Sequence, residues 1–186
     1  MKVEIKKLSV EIINDFYKIH SGDTDGWCCC VSWWVESWKE WGERTEEQNR
    51  KLRDMLFAKG EYDGYILYCD NEPAGWCQCG KRDRLIKLTN QFKLQPSADT
   101  WAVTCFLIKP EFRKKGLSRK FLELVLEDLK ASGVKHVQAF PRSQPAGKEL
   151  DDGEVWTGPE NIYINSGFVK ESGIESAPVY SLYLNN

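Results

Sequence analysis

The chain of 186 residues is long enough for one domain with a buried core, because a domain of this size hides roughly 70% of the unfolded chain's surface. Its formal net charge of -2 and pI near 5.8 are too acidic for a general nucleic-acid binder. No apolar run reaches the roughly 20 residues of a membrane span, and the N-terminus lacks the apolar region of a signal peptide. We therefore expect a cytoplasmic protein with one domain over residues 1–186 and neither nucleic-acid nor membrane partners.

The first third of the chain predicts one strand and two helices. Residues 3–8 are strand-like, and the apolar positions of residues 9–20 repeat with the spacing of one helical face. Thr45 as a cap, acidic residues in the next turn and Gly60 just after the end predict a second helix over residues 46–58.

The middle of the chain predicts a hairpin followed by a buried strand. Two strand-like runs in residues 62–80 flank the turn-forming sequence Asp-Asn-Glu-Pro and indicate an antiparallel hairpin. Residues 81–100 show no sustained period, so we expect a linking loop there. Residues 101–108 are continuously apolar, which is typical of a central strand that is buried on both faces.

The last third predicts a return to the sheet. A helix with a regular apolar stripe ends at Gly133, and residues 134–140 are expected to form a strand parallel to residues 101–108, because a strand, helix and strand of this length close as a crossover. A short helix near residue 163 and a closing strand over 178–184 complete the pattern. The fold class is α/β with a mixed sheet.

A basic turn precedes the long helix. Five of the eight residues from Arg113 to Lys120 are basic, and Gly116 allows the backbone to approach a ligand closely. Unpaired N–H groups and the helix dipole attract anions at a helix N-terminus. The sequence lacks the glycine spacing of a P-loop or a dinucleotide fingerprint, so the alternatives are a phosphate-binding turn of another kind and a solvated basic turn.

The segment Ile108–Ser118 resembles the acetyl-CoA signature of the GCN5-related N-acetyltransferase (GNAT) superfamily, Arg/Gln-x-x-Gly-x-Gly/Ala after a strand that ends near a proline. Arg113 and Gly116 match, and Ser118 stands where the family usually has Gly or Ala. The segment around Tyr163 is similar to a later family motif, Tyr-x-x-x-Gly-Phe, which Gly167 and Phe168 complete. The two motifs occur at the family's separation, and several other segments resemble a little-characterised branch of it.

The resemblance implies a GNAT-like fold, with a mixed, mostly antiparallel sheet flanked by helices, and acetyl-CoA as co-substrate. It implies that Tyr163 is the general acid that protonates the departing thiolate, with packing of the short helix as the alternative. It also implies that a backbone N–H of the strand polarises the thioester. The residues expected to bind acetyl-CoA are Phe106, Leu107, Ile108, Arg113, Lys114, Lys115, Gly116, Leu117 and Ser118.

The general base is not identified by the sequence. The central strand contains neither a carboxylate nor a histidine, although family members often use such a group through a water. His20, His136, Glu36 and Glu154 are candidates, but each is of a type that more commonly serves packing or faces solvent.

Two clusters stand out between the first and second predicted helices. Seven cysteines include the adjacent triplet Cys28–Cys30, whose spacing does not suit a zinc site, so we expect reduced thiols and no metal. Five tryptophans lie within Trp27–Trp41. They indicate either core packing or an aromatic wall for an apolar or cationic acceptor.

The function that these patterns favour is transfer of an acetyl group from acetyl-CoA to an amine of a small molecule. A non-catalytic acyl-CoA sensor and a protein N-acetyltransferase are the alternatives, and a nucleic-acid-binding module is disfavoured by the net acidity. The acceptor, the acyl length, the role of the two clusters and the oligomeric state, including a homodimer, are left open.

Overall fold

One mixed sheet organises the protein, which is described by a computed structural model over residues 1–21, 26–143, 151 and 154–184. Its strands are β1 (Val3–Lys7), β2 (Gly64–Cys69), β3 (Glu72–Lys81), β4 (Thr100–Ile108), β5 (His136–Ala139), β6 (Val169–Ile174) and β7 (Ala177–Tyr183), in the order β1-β2-β3-β4-β5-β7-β6. Among the described strands only β4 and β5 run parallel. The expected mixed, mostly antiparallel sheet is therefore confirmed.

Six helices flank the sheet in the described ranges: α1 (Ile13–Ile19), α2 (Trp38–Gly42), α3 (Glu46–Ala58), α4 (Ile86–Gln91), α5 (Leu117–Ala131) and α6 (Glu160–Asn165). Short 3-10 turns connect several of them. The helices cover both faces of the sheet and so separate the core into distinct clusters.

Helix α5 covers one face of the central strands. Phe121, Val125 and Leu129 are fully buried along one stripe of the helix, and the Phe121 ring lies 5.1 Å from that of Phe106 on β4. Each such side chain contributes roughly 1.5–3 kcal/mol by leaving water. This packing fixes the start of α5 relative to the end of β4.

Helices α1 and α3 and the segment of residues 26–35 lie on the opposite face. Phe16 of α1 and Trp76 of β3 meet edge to face at 4.8 Å, and both are fully buried. Thr45 and Gln48 exchange hydrogen bonds as a capping box that begins α3 at the predicted residue. The two left-handed residues Asp70 and Asn71 close the predicted hairpin.

The prediction of a linking loop over residues 81–100 is wrong, and strand β6 was not predicted. The segment contains a 3-10 turn and helix α4, whose six residues are too few to show a helical period. Strand β6 is exposed along its whole length at the sheet edge, so it has no apolar alternation to reveal it.

Candidate active site

The parallel strands β4 and β5 part halfway along the sheet. Their pairing runs from Thr100 to Val103 on β4 and then stops, although β4 continues to Ile108. Beyond that point the Phe106 N–H donates to the carbonyl of Trp156 at 2.8 Å instead of to a neighbouring strand. The separation exposes backbone of the central strand to the segment that precedes α6.

A cavity of about 700 Å³ opens at this separation. It is lined by His20, Trp27, Cys28, Cys30, Ser32, Trp38, Trp41, Gln78, Cys105, Phe106, Leu107, Ile108, Pro110, Arg113, Lys114, Ser118, Val155, Trp156 and Pro159. Six of the nine predicted acetyl-CoA residues are in this set. The other three are Lys115, Gly116 and Leu117, which belong to the same turn, with Leu117 buried in the core.

The basic turn at one end of the cavity has an unusual backbone. Lys114 and Gly116 both have positive φ, 59° and 71°, and Gly116 is the N-cap of α5 without a side-chain cap. The first N–H groups of a helix have no partner within it, so this turn carries partial positive charge beside basic side chains. Arg113 is anchored by its Nε, which donates to the Ile108 carbonyl at 2.8 Å.

Gln78 of β3 is a cavity residue that sequence analysis did not select. Its Oε1 accepts a hydrogen bond from the Thr104 hydroxyl at 3.0 Å, while its buried Nε2 has no hydrogen-bond partner among the described residues. A buried amide N–H without a partner is costly unless a ligand or water accepts from it. The sequence signal was weak, because a glutamine on an otherwise apolar strand is also compatible with a structural hydrogen bond.

Tryptophans form the other end of the cavity. Trp27 and Trp41 stack with their ring centroids 4.8 Å apart, and Trp38 also faces the cavity. Behind Trp38 lies Lys87 of α4, whose Nζ is 3.4 Å from the ring centroid and has no hydrogen-bond partner in the described part of the chain. Burial lowers the pKa of this lysine to about 8. Trp33 is buried in the core, whereas Trp38 is exposed at the cavity.

His20 is the one candidate base among the four that lines the cavity, within the residues that the structure describes. Its Nδ1 lies 2.8 Å from the Phe16 carbonyl, which can only accept, so Nδ1 carries the proton and Nε2 is left as an acceptor. Burial lowers the pKa of His20 to about 4 and keeps the ring neutral at neutral pH. His136 instead bonds Thr100 and stacks on Tyr183.

Tyr163 does not line the cavity. It is fully buried in α6, its ring meets Phe168 edge to face at 5.4 Å, and its hydroxyl donates to the Thr157 carbonyl at 2.5 Å. Burial raises the pKa of this phenol well above its usual range, so it holds its proton. The hydroxyl therefore contacts the backbone at Thr157, between Trp156 and Pro159, which line the cavity.

No cluster of three or more His, Cys, Asp or Glu side chains in the described ranges is arranged to hold a metal ion. Within the same ranges, every helix is too short or too polar to span a membrane.

A sheet whose central strands part over a cavity, with a basic glycine turn at the start of the following helix, defines an acetyltransferase-type α/β domain. The model of the acetyltransferase (GNAT) family matches residues 27–146, more than half of the chain, and the chain belongs to that family. The resemblance to this family is thus confirmed, and so is its implication that the protein is an enzyme of the acetyltransferase class. Comparison with curated proteins finds no match.

Solved structures share the fold at low identity. A protein from Desulfovibrio desulfuricans assigned to the GNAT acetyltransferases is 14% identical, with a TM-score of 0.60 over 99% of this chain and 100% of its own. Aminoglycoside acetyltransferase AAC(6')-Ib, solved with coenzyme A, is 15% identical, with a TM-score of 0.61 over 98% and 95%. PaiA N-acetyltransferase from Thermoplasma acidophilum, also solved with coenzyme A, is 15% identical, with a TM-score of 0.52 over 98% and 99%.

The partly buried imidazole of His20 predicts that the stability of the protein falls on acidification. His20 is neutral in the native state, whereas the unfolded chain binds a proton near pH 6.5, so the native state is destabilised as the pH falls from 6.5 toward 4. Between pH 7.5 and 5 the loss in unfolding free energy should be about 2 kcal/mol larger for the wild type than for His20→Gln. Urea denaturation at both pH values measures it. An identical pH dependence in the two proteins would contradict the assignment of a neutral His20.

Proposed function

We propose that the protein is an acetyl-CoA-dependent N-acetyltransferase that acts on an amine of a small molecule, and that residues 1–186 form its single domain. The observation that carries this proposal is the continuity of the cavity. One chamber joins Arg113 and Ser118 of the basic turn, Phe106 in the part of β4 that does not pair with β5, and the tryptophans Trp38 and Trp41. In acetyl transfer, the basic turn would face the pyrophosphate of acetyl-CoA, the β4 backbone its thioester, and the tryptophans the amine acceptor.

The basic turn suits the pyrophosphate of acetyl-CoA. Lys114 and Gly116 have positive φ in the turn that begins α5, and the first N–H groups of a helix lack helical partners. The φ of Gly116 is tolerated at no steric cost by glycine, and no side chain obstructs approach. Lys115 extends its Nζ to the Glu111 carbonyl at 2.9 Å, so its charge stays near the turn.

Backbone and amide donors suit the thioester. We assign the Phe106 N–H to this role, where a ligand oxygen would replace the Trp156 carbonyl that it now contacts. Gln78 pairs with Cys105, the residue before Phe106, across the β3–β4 ladder, and its side chain also lines the cavity. Its unpartnered Nε2 donor would stabilise a carbonyl oxygen on which negative charge develops.

The tryptophan end suits the apolar body of an amine acceptor. Trp27 and Trp41 already stack on each other, and rigid aromatic faces contribute contact area with little loss of side-chain entropy. The role of general acid stays with Tyr163 as a proposal. In that role the hydroxyl would exchange its bond to Thr157 for the departing thiolate, whereas its present geometry also suits a packing role.

Thiol release tests the proposed reaction. Purified full-length protein is given acetyl-CoA and a panel of aromatic and aliphatic amines, and free coenzyme A is measured with a thiol reagent. We expect amine-dependent release with at least one panel member and an acetylated amine in the mass spectrum. Binding of acetyl-CoA without transfer would instead identify an acyl-CoA sensor, and transfer only to proteins would identify a protein N-acetyltransferase.

Substitution at two glycines tests the pyrophosphate assignment. Gly116 and Gly133 lie at opposite ends of α5, both have positive φ, and a Cβ added at either would have no atom within 4 Å, so Asp strains both alike. Gly116→Asp adds negative charge where the phosphates would bind. We expect calorimetry to show a loss of acetyl-CoA affinity of at least ~10-fold for Gly116→Asp, because a repulsion of about 1.4 kcal/mol already suffices, and little change for Gly133→Asp. Equal losses would refute the assignment.

Tyr163→Phe tests the general acid. If the phenol protonates the leaving thiolate, kcat should fall by ~10²-fold while the acetyl-CoA Kd changes by less than about threefold, because the donor acts only as charge develops. Tyr180→Phe is the matched control, since it removes another tyrosine hydroxyl that bonds next to α6, to Glu160 at 2.8 Å. Unchanged kcat in Tyr163→Phe, or a collapse of cofactor binding, would reduce Tyr163 to a packing or binding residue.

A further inference from the structure

Two cysteines far apart in sequence meet in the cavity wall. The Sγ atoms of Cys30 and Cys105 are 2.9 Å apart, although the residues are separated by 75 positions. Both are free thiols. A disulfide needs its sulfurs at about 2.05 Å, so a movement of less than about 1 Å would bring them to bonding distance. We propose that Cys30 and Cys105 form a reversible disulfide and are thus a redox modification site. This inference does not rest on the proposed acetyl transfer.

The backbone around Cys30 is in an unfavourable conformation that brings its sulfur to this position. Cys29 and Cys30 have φ values of 43° and 49°, and two successive residues other than glycine seldom adopt such values. The turn is held by Tyr62, whose hydroxyl donates to the Cys29 carbonyl at 2.9 Å, and by the Val31 N–H, which donates to the Cys28 carbonyl at 3.0 Å. These contacts hold the Cys30 sulfur against β4.

His20 gives the pair a hydrogen-bond acceptor. Its Nε2 lies 3.4 Å from the Cys30 sulfur, and its Nδ1–H is engaged by the Phe16 carbonyl, so the Cys30 S–H is the donor in that contact. With the single hydrogen of Cys30 directed at His20, the Cys105 S–H donates to the Cys30 sulfur. The three groups thus form a directed chain from β4 to the imidazole.

The cavity gives a small oxidant access to both thiols. Cys30 and Cys105 line it, whereas Cys77 and Cys79 are fully buried in the core under α5. The oxidant that we propose is a low-molecular-weight disulfide. Because burial raises the pKa of the Cys30 thiol well above its usual range, thiolate is scarce and the exchange should take minutes to hours.

The exchange balances without another reactant. Cys30 attacks one sulfur of the small disulfide, and the proton of Cys30 passes to the small thiolate that leaves. Cys105 then attacks the Cys30 sulfur of the mixed disulfide, and its proton passes to the second small thiolate, which leaves as a thiol. Two protein thiols are oxidised, one small disulfide is reduced to two thiols, and there is no net gain or loss of protons.

Mass spectrometry of the full-length protein tests the proposal. The protein is incubated with oxidised glutathione, quenched and alkylated under denaturing conditions so that burial does not protect thiols, and digested. We expect two of the seven cysteines to escape alkylation, a cross-linked peptide pair joining Cys30 to Cys105, and full alkylation after dithiothreitol. Alkylation of all seven, a link between other cysteines, or a glutathione adduct that never resolves would each overturn the proposal.

Variants separate pair formation from general oxidation. Cys105→Ser and Cys30→Ser should abolish the cross-link, and Cys105→Ser should retain glutathione on Cys30 as the trapped mixed disulfide. Cys28→Ser is the matched control because Cys28 lines the same cavity, and it should leave the Cys30–Cys105 link intact. If Cys28→Ser also abolished the link while circular dichroism showed a native fold, the assigned pairing would be wrong. The mapping on the wild-type protein stands even if a serine variant fails to fold.

Discussion

The rest of the structure depends on the point at which β4 stops pairing with β5. A central strand normally satisfies its backbone on both sides, and β4 does so on the β3 side through Ile108 but on the β5 side only through Val103. The unpaired half must find other partners, because a buried N–H without one is costly. The Phe106 N–H finds one in Trp156. The cavity opens where a loop carbonyl replaces the neighbouring strand as the partner of β4. A ligand oxygen could in turn replace that carbonyl as the acceptor for the Phe106 N–H.

The rigid surroundings of that opening are supplied by aromatic packing. Phe106 contacts Phe121 of α5 on one face of the sheet, and Trp76 contacts Phe16 of α1 on the other. Both contacts join elements that are distant in the chain, so the cavity is bounded by parts that each belong to the core. A wall built in this way can hold donors such as Gln78 in fixed directions, which is what stabilisation of developing charge requires.

Local signals in the sequence were sufficient for much of the fold. Thr45 and Gln48 define the start of α3, and the turn at Asp70 and Asn71 defines the hairpin, because these contacts lie within three residues of one another. Helix α4 and strand β6 were missed, since one is under two turns long and the other has no buried face. In the candidate site the motif around Gly116 was readable because the turn is contiguous. The meeting of His20, Cys30 and Cys105 was not, because only the tertiary fold brings these residues together.

Lys87 makes the charge at the tryptophan end of the cavity depend on pH. Its amine lies against the face of Trp38 and is shielded from water, so its pKa falls to about 8 rather than the usual value above 10. Below that pH the wall contains a resident ammonium that already occupies one aromatic face and repels a second cation. Above it the same wall is neutral, although no atom has moved. The electrostatic potential at this end of the cavity therefore becomes less positive as the pH rises through about 8.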